Sequence, residues 1–265
     1  MKETQIMTIS LEQTISKMNH MKFLGMAASL PERLNNSSHH DLSHEEFITL
    51  LIDDEWVCRE NKKLKRRIKN AKFKITATLD AIDYGFKRGL QKSKIMDLST
   101  LNWVQHHQNV IITGPTGVGK SFIAQALAHH ACQRGLTSFY IRLSLLLDQL
   151  LIERAQGTFA RYLMKLKKHD VLIIDDWGLS TLKEQESQDL LEIIEDRYEL
   201  KSTIITTQLP IKHWHEFIQN ATIADAICDR LVHNSFKIEL KGESIRKIKG
   251  EKEKNEETTK NDVRP

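Results

Sequence analysis

At 265 residues the chain has room for one large domain or for a medium and a small one, and 40% hydrophobic with 28% charged residues exclude a disordered or fibrous chain. No apolar run is long enough to cross a membrane, the N-terminus lacks a signal-peptide pattern, and Cys58, Cys132 and Cys228 are too scattered for a disulfide framework, so the expectation is a cytoplasmic protein with no membrane partner. The net charge of +4 hides a reversal: residues 1–58 carry four basic and nine acidic side chains, residues 59–74 nine basic and one acidic, which puts the expected polyanion contact in the second stretch.

In chain order, Ser10-x-x-Gln13 ahead of Leu11, Ile15 and Met18 has the form of a capping box that opens a short helix. Phe23, Leu24, Met26 and Leu30 form a second apolar set, expected to end or turn at Pro31, and Asn35 to Ser38 read as a loop. Ser43-x-x-Glu46 predicts the cap of a long helix with Phe47, Leu50, Leu51, Trp56, Val57, Leu64 and Ile68 at helical spacing, its second half being the basic run from Arg59. Residues 1–75 therefore read as a small all-α domain with too few apolar positions for a large core of its own. The adjacent histidines His39-His40, His106-His107 and His129-His130 lack metal-ligand spacing and read as surface or packing residues.

From Val110 the pattern changes to alternating strand and helix, which predicts a parallel sheet with helices on both faces across residues 76–240. Strands are expected at 110–113, 138–142, 171–175, 202–206 and 235–240. Helices are expected at 120–134, 144–155, 158–168, 185–200 and 222–231, so two helices separate the second strand from the third. Residues 241–265 are polar and charged without periodicity and read as a disordered or mobile tail.

The first strand hands over to Gly114-Pro115-Thr116-Gly117-Val118-Gly119-Lys120-Ser121, a complete Gly-x-x-x-x-Gly-Lys-Ser phosphate-binding loop between strand and helix. The glycines let successive N–H groups turn inward around an anion, and the helix that follows presents unpaired N–H groups and a partial positive charge. Lys120 can reach the β- and γ-phosphates, and the Ser121 hydroxyl can ligate magnesium. The expected ligands are thus a nucleoside triphosphate and Mg2+. Tyr84 and Trp103, in the connector before the loop, either touch the base or pack.

Val171 to Ile174 form a buried strand, expected beside the phosphate-loop strand, that delivers Asp175 to the magnesium and Asp176 to the attacking water. The competing reading is that one or both acids cap the next helix. A further strand ends in Thr207-Gln208; if it lies between the phosphate-loop strand and the Asp175 strand, Gln208 or Thr207 can hold the water or sense the γ-phosphate, or be a plain loop residue.

Taken with Ile223-Ala224-Asp225-Ala226-Ile227-Cys228-Asp229-Arg230-Leu231-Val232-His233-Asn234, the stretch Glu239-Leu240-Lys241-Gly242-Glu243-Ser244-Ile245-Arg246-Lys247 and the N-terminal Phe23-Leu24-Gly25-Met26-Ala27, these motifs resemble the IstB family. IstB proteins are ATP-binding helpers of insertion-sequence transposases, relatives of the helicase loader DnaC and the initiator DnaA in the AAA+ class of P-loop NTPases. The resemblance implies a bacterial ATPase with a five-stranded parallel sheet and no sizeable helical lid, working as a homo-oligomer on duplex DNA with a cognate transposase as partner. It makes Arg230 the arginine finger that acts on a neighbour's γ-phosphate, although an arginine beside Asp229 is also suited to an ion pair. It makes Arg246 the second sensor arginine. Asp176 stands where the wider class has Glu, with a shorter reach. The helix pair Ser144–Lys168, basic at Arg161, Lys165, Lys167 and Lys168, matches an insertion used for DNA contact, so it competes with Arg59–Lys74 as the DNA site. The rival functions are a DnaC-like helicase loader, a small-molecule phosphotransferase and a non-hydrolysing nucleotide-switched scaffold.

Overall fold

A computed structural model describes residues 2–36, 42–245, 247 and 248. Its contacts divide the chain into two units, Met1–Arg66 and Arg67–Pro265.

The first unit is helical. Helix α1 (Lys2–His20) starts eight residues before Ser10, so Ser10 is not its cap. The segment from Lys2 to His20 contains neither Gly nor Pro, and nothing in it breaks the helix. Helix α2 (Leu24–Asn35) runs through Pro31 rather than ending there, losing one backbone hydrogen bond while Ala27 and Leu30 stay buried. Helix α3 (His44–Ala71) opens as predicted: Glu46 N–H donates to Ser43 Oγ (3.2 Å) and Ser43 N–H donates to Glu46 Oε2 (2.8 Å). The expected loop residues Ser37 and Ser38 lie outside the described residues. The start of α2 has no cap in its own sequence; instead the buried Glu55 of α3 accepts from the N–H groups of Gly25 (2.6 Å) and Met26 (3.3 Å). That approach needs the glycine, because a Cβ on Gly25 would lie 2.5 Å from Asp54 O and 2.7 Å from Glu55 Cα. Arg33 then clamps Asp54 with two bonds of 2.5 and 2.8 Å.

The second unit carries short helices α4 (Lys92–Ser99) and α5 (Asn102–Gln105) in the connector, where Trp103 is buried and donates from Nε1 to Leu98 O at 2.9 Å. The sheet follows as β1 (Asn109–Thr113), β2 (Ser138–Arg142), β3 (Val171–Trp177), β4 (Ser202–Thr207) and β5 (Ser235–Glu239). All pairings are parallel, in the order β2-β3-β4-β1-β5. Between the strands run α6 (Lys120–Gln133), α7 (Leu143–Ala155), α8 (Phe159–Lys167), α9 (Glu184–Arg197), α10 (Trp214–Ile218) and α11 (Ala221–Val232). The period-two alternation splits each strand between two cores. Val110, Ile112, Ile173 and Ile204 pack with Ile123, Leu127 and Trp103 on one face; Ile111, Leu172, Ile174 and Ile205 pack with Leu146, Leu190 and Ile227 on the other. Each such buried isoleucine stabilises the sheet by about 1.5–3 kcal/mol.

Two features depart from expectation. Strand β3 is not beside β1, because β4 lies between them. Residues 241–245, 247 and 248, read from sequence as the start of a disordered tail, pack on the body of the unit. Lys241 N–H donates to Arg88 O (2.8 Å), Ile245 N–H to Gly117 O (3.0 Å) and Ile248 N–H to Ser244 O (3.1 Å). The residues beyond Ile248 lie outside the described ones. Among the described residues no helix is long and apolar enough to cross a membrane.

Candidate nucleotide-binding site

Strand β1 ends at Thr113, and the loop turns through Gly114, Gly117 and Gly119, all at positive φ, into α6, whose first residue is Lys120. Val118 points into the core, and Pro115 and Thr116 form the outer bend. Lys120 folds across the loop, donating from Nζ to Gly114 O (2.7 Å) and Pro115 O (2.8 Å). Gly117 is held open for a second reason: a Cβ there would sit 2.0 Å from Ser244 Oγ and 2.7 Å from Ser244 Cβ. The C-terminal segment thus lies directly on the phosphate loop.

At the next position, Ser121 Oγ donates to Asp175 Oδ1 at 2.7 Å, joining the start of α6 to the tip of β3. Asp175 is only 3% exposed, and its carboxylate also accepts from Tyr140 of β2 (Oη to Oδ2, 2.7 Å) and from Thr206 of β4. Burial, and then the bond to Asp175, push the Tyr140 phenol well above its ordinary value, so it remains a proton donor. Tyr140 and Thr206 had no motif to announce them. They read in sequence as strand residues of a buried sheet.

Asp176 follows with a left-handed backbone (φ +63°), at the place where the β3–β4 register slips between Ile174 and Trp177. Such a conformation costs a non-glycine residue roughly 1–2 kcal/mol. Its N–H donates to Thr206 Oγ1 at 3.3 Å. Burial, then the charge of Asp175, raise its carboxyl above the usual value, against the pull of Arg142, Lys120 and Lys74. Neither acid caps the following helix, since the N-cap of α9 is Lys183.

Strand β4 brings Thr207 and Gln208 to the rim. Gln208 Oε1 accepts from Thr116 Oγ1 of the phosphate loop at 2.7 Å. Thr207 instead turns inward, donating to Trp177 O (2.7 Å) and accepting from Leu209 N–H (2.9 Å). Sequence reasoning also missed Arg88. It is 4% exposed and grips the loop from behind, Nη1 donating to Val118 O (2.9 Å) and Nη2 to Asp83 O (2.8 Å). Burial pulls its guanidinium below the usual range. Tyr84, half-buried, packs against that same core.

Arg230 stands apart from this group. On α11 it ion-pairs with Glu195 of α9, donates from Nη1 to Ala226 O (2.9 Å) and lies 5.8 Å from the Tyr198 ring centroid. Its carboxylate partner is therefore Glu195 and not the adjacent Asp229, which faces His233 at 3.8 Å. Arg246 lies outside the described residues. Of the cations on the α7–α8 pair, Lys167 pairs with Asp196 (3.0 Å), and in the α3 run Arg59 and Lys63 pair with Glu55 (2.6 Å) and Glu60 (2.7 Å).

Among the described residues no group of three His, Cys, Asp or Glu makes a protein-only metal cage. The hydroxyl of Ser121 and the carboxylate of Asp175 are instead a pair of hard oxygen donors beside a phosphate cradle, which fits magnesium, an ion that keeps waters and substrate oxygens in its shell.

A parallel sheet in this order, a complete phosphate loop and a paired acid at the tip of the third strand define an ATPase of the AAA+ class of P-loop proteins. Residues 16–254 match the family described as IstB-like ATP binding protein, and the chain belongs to that family. It is 45% identical over 234 residues to the insertion sequence ATP-binding protein y4pL of Sinorhizobium fredii, covering 88% of this chain and 96% of that one. It is 42% identical over 200 residues to the IS1162 ATP-binding protein of Pseudomonas fluorescens, covering 75% and 87%. Its fold is similar to that of the replication initiator DnaA bound to AMPPCP and single-stranded DNA (TM-score 0.55, 19% identity, 69% of this chain and 56% of that one).

Proposed function

We propose that this protein is the ATP-driven, DNA-binding assembly factor of an insertion sequence, forming a homo-oligomer on duplex DNA and recruiting or stimulating its transposase. The observation that carries the reading is the Ser121–Asp175 bond at the mouth of the phosphate loop, with Asp176 beside it. The insertion-sequence relatives favour transposition over helicase loading.

In this reading residues 114–121 cradle the triphosphate through backbone N–H groups, and Lys120 moves from the loop carbonyls to the β- and γ-phosphates. Ser121 and Asp175 would hold magnesium, which supplies neutralising charge to the β- and γ-phosphate oxygens. Asp176 orients the attacking water, and Gln208 reports the γ-phosphate through Thr116. Arg230 leaves Glu195 to complete a neighbouring subunit's site, and Arg246 serves as the second sensor arginine that the family resemblance implies. The helical N-terminal region meets the transposase, and the cations of residues 59–74 meet DNA phosphates. The test is steady-state ATP turnover with and without duplex DNA. Lys120→Ala should lose nucleotide binding, and Asp176→Asn should keep binding while turnover falls. Turnover in Asp176→Asn equal to wild type would remove the second acid from the chemistry.

A further inference from the structure

Resting on the reading of Asp175 as the magnesium acid, we propose that Tyr140 is a positioning residue that fixes the rotation of the Asp175 carboxylate and thereby sets the affinity of the site for the metal. Tyr140 comes from β2, separated from the phosphate-loop strand by β3 and β4, and it is 7% exposed. An aromatic ring at this position would serve the core equally well as phenylalanine; the hydroxyl is the part that needs explaining. A buried hydroxyl requires a partner, and its partner is Asp175 Oδ2 at 2.7 Å.

The consequence is geometric. Ser121 and Thr206 both approach Oδ1, whereas among the described residues Tyr140 is the one that holds Oδ2. With one oxygen pinned from the β2 side, the carboxylate plane cannot swing, and Oδ1 stays turned towards Ser121 and the phosphate loop. Remove the phenol and two side effects follow: Oδ2 is left buried with one donor fewer, and the carboxylate regains a rotation that metal binding must then freeze out. Outer partners of this kind typically change metal affinity by about 10- to 100-fold. Thr206 does not duplicate the role, because it bonds the oxygen that faces Ser121.

The experiment is a Mn2+ titration followed by electron paramagnetic resonance, using the full chain saturated with a non-hydrolysable ATP analogue, for wild type, Tyr140→Phe and Asp175→Asn. Tyr140→Phe keeps the ring and should bind the analogue without metal as wild type does, yet bind Mn2+ about tenfold more weakly. In turnover assays its half-saturating Mg2+ concentration should rise while kcat at saturating Mg2+ stays near wild type. As a second readout, independent of any loss of basal stability, the increase in Tm that metal adds should shrink in Tyr140→Phe. Unchanged Mn2+ affinity and an unchanged metal-dependent Tm increment in Tyr140→Phe, with both weakened in Asp175→Asn, would overturn the proposal alone. Unchanged Mn2+ affinity in Asp175→Asn would overturn the assignment of Asp175, and the role of Tyr140 with it.

Discussion

Gly117→Ala offers a quantitative test of whether the C-terminal segment lies on the phosphate loop. Gly117 has φ +82°, where a Cβ costs roughly 1–2 kcal/mol whatever surrounds it. The new methyl would also fall 2.0 Å from Ser244 Oγ and 2.7 Å from its Cβ. Relieving an overlap of that kind by shifting neighbours costs about 1–3 kcal/mol. The sum, roughly 2–5 kcal/mol, should lower Tm by roughly 5–15 °C in a unit of this size. Ser244→Gly removes both clashing atoms and leaves its Cα at 3.2 Å, a tight but tolerable approach. The double variant should therefore recover the overlap share and not the backbone share. Urea unfolding of the four proteins closes the cycle, with an expected coupling of about 1–3 kcal/mol. Losses that simply add, within about 0.5 kcal/mol, would refute the contact between Ser244 and the phosphate loop.

Other outcomes follow from the same geometry. Arg230→Ala should bind ATP normally yet lose turnover by up to ~10³-fold, and mixing it with Lys120→Ala should restore activity, because a mixed interface pairs an intact pocket with an intact finger. No gain on mixing would leave Arg230 as the partner of Glu195 only. Asp176 has a carboxyl raised above its ordinary 3.8 in the fold, so the folded chain holds that proton longer than the unfolded one. Its contribution to stability is therefore largest below the unfolded pKa and declines as pH rises through the folded one. Asp54, Glu55 and Asp170 are shifted the opposite way and add stability as pH rises, so the decline is read in the difference, wild-type Tm minus Asp176→Asn Tm, which should fall from acid to neutral pH. Replacing Lys65, Arg66, Arg67 and Lys69 with Ala should weaken binding to unrelated duplexes alike and shallow the slope of log affinity against log salt by about 0.9 per lost phosphate contact. If only Lys165→Ala with Lys167→Ala has that effect, the DNA site is on α8.

What the sequence discloses here follows physical rules of different reach. The five strands and their helices are legible because burial on both faces writes near-continuous apolar runs such as Val171–Ile174, and helices between them write a longer period. The phosphate loop is legible because its chemistry needs fixed residue types at fixed spacing. Strand order is not, since β3 and β4 carry equivalent apolar patterns and only packing puts β4 next to β1. The Tyr140 and Thr206 hydroxyls on Asp175 are equally invisible, being contacts across three strands that no local pattern encodes. Pro31 misleads because tertiary packing overrides a single missing N–H. Residues 241–245 mislead because their placement comes from backbone hydrogen bonds of Lys241 to Arg88 and of Ile245 to Gly117, which leave no mark on hydropathy.

The central claim, an ATP-gated oligomer on DNA, is tested most directly by sedimentation of a fluorescent duplex with the wild-type chain and Asp176→Asn in ATP, in ADP and without nucleotide. The account predicts a fast-sedimenting, multi-subunit complex with ATP, longest-lived in Asp176→Asn, absent with ADP and absent in Lys120→Ala. The same complex in all three nucleotide states, or in Lys120→Ala, would contradict it.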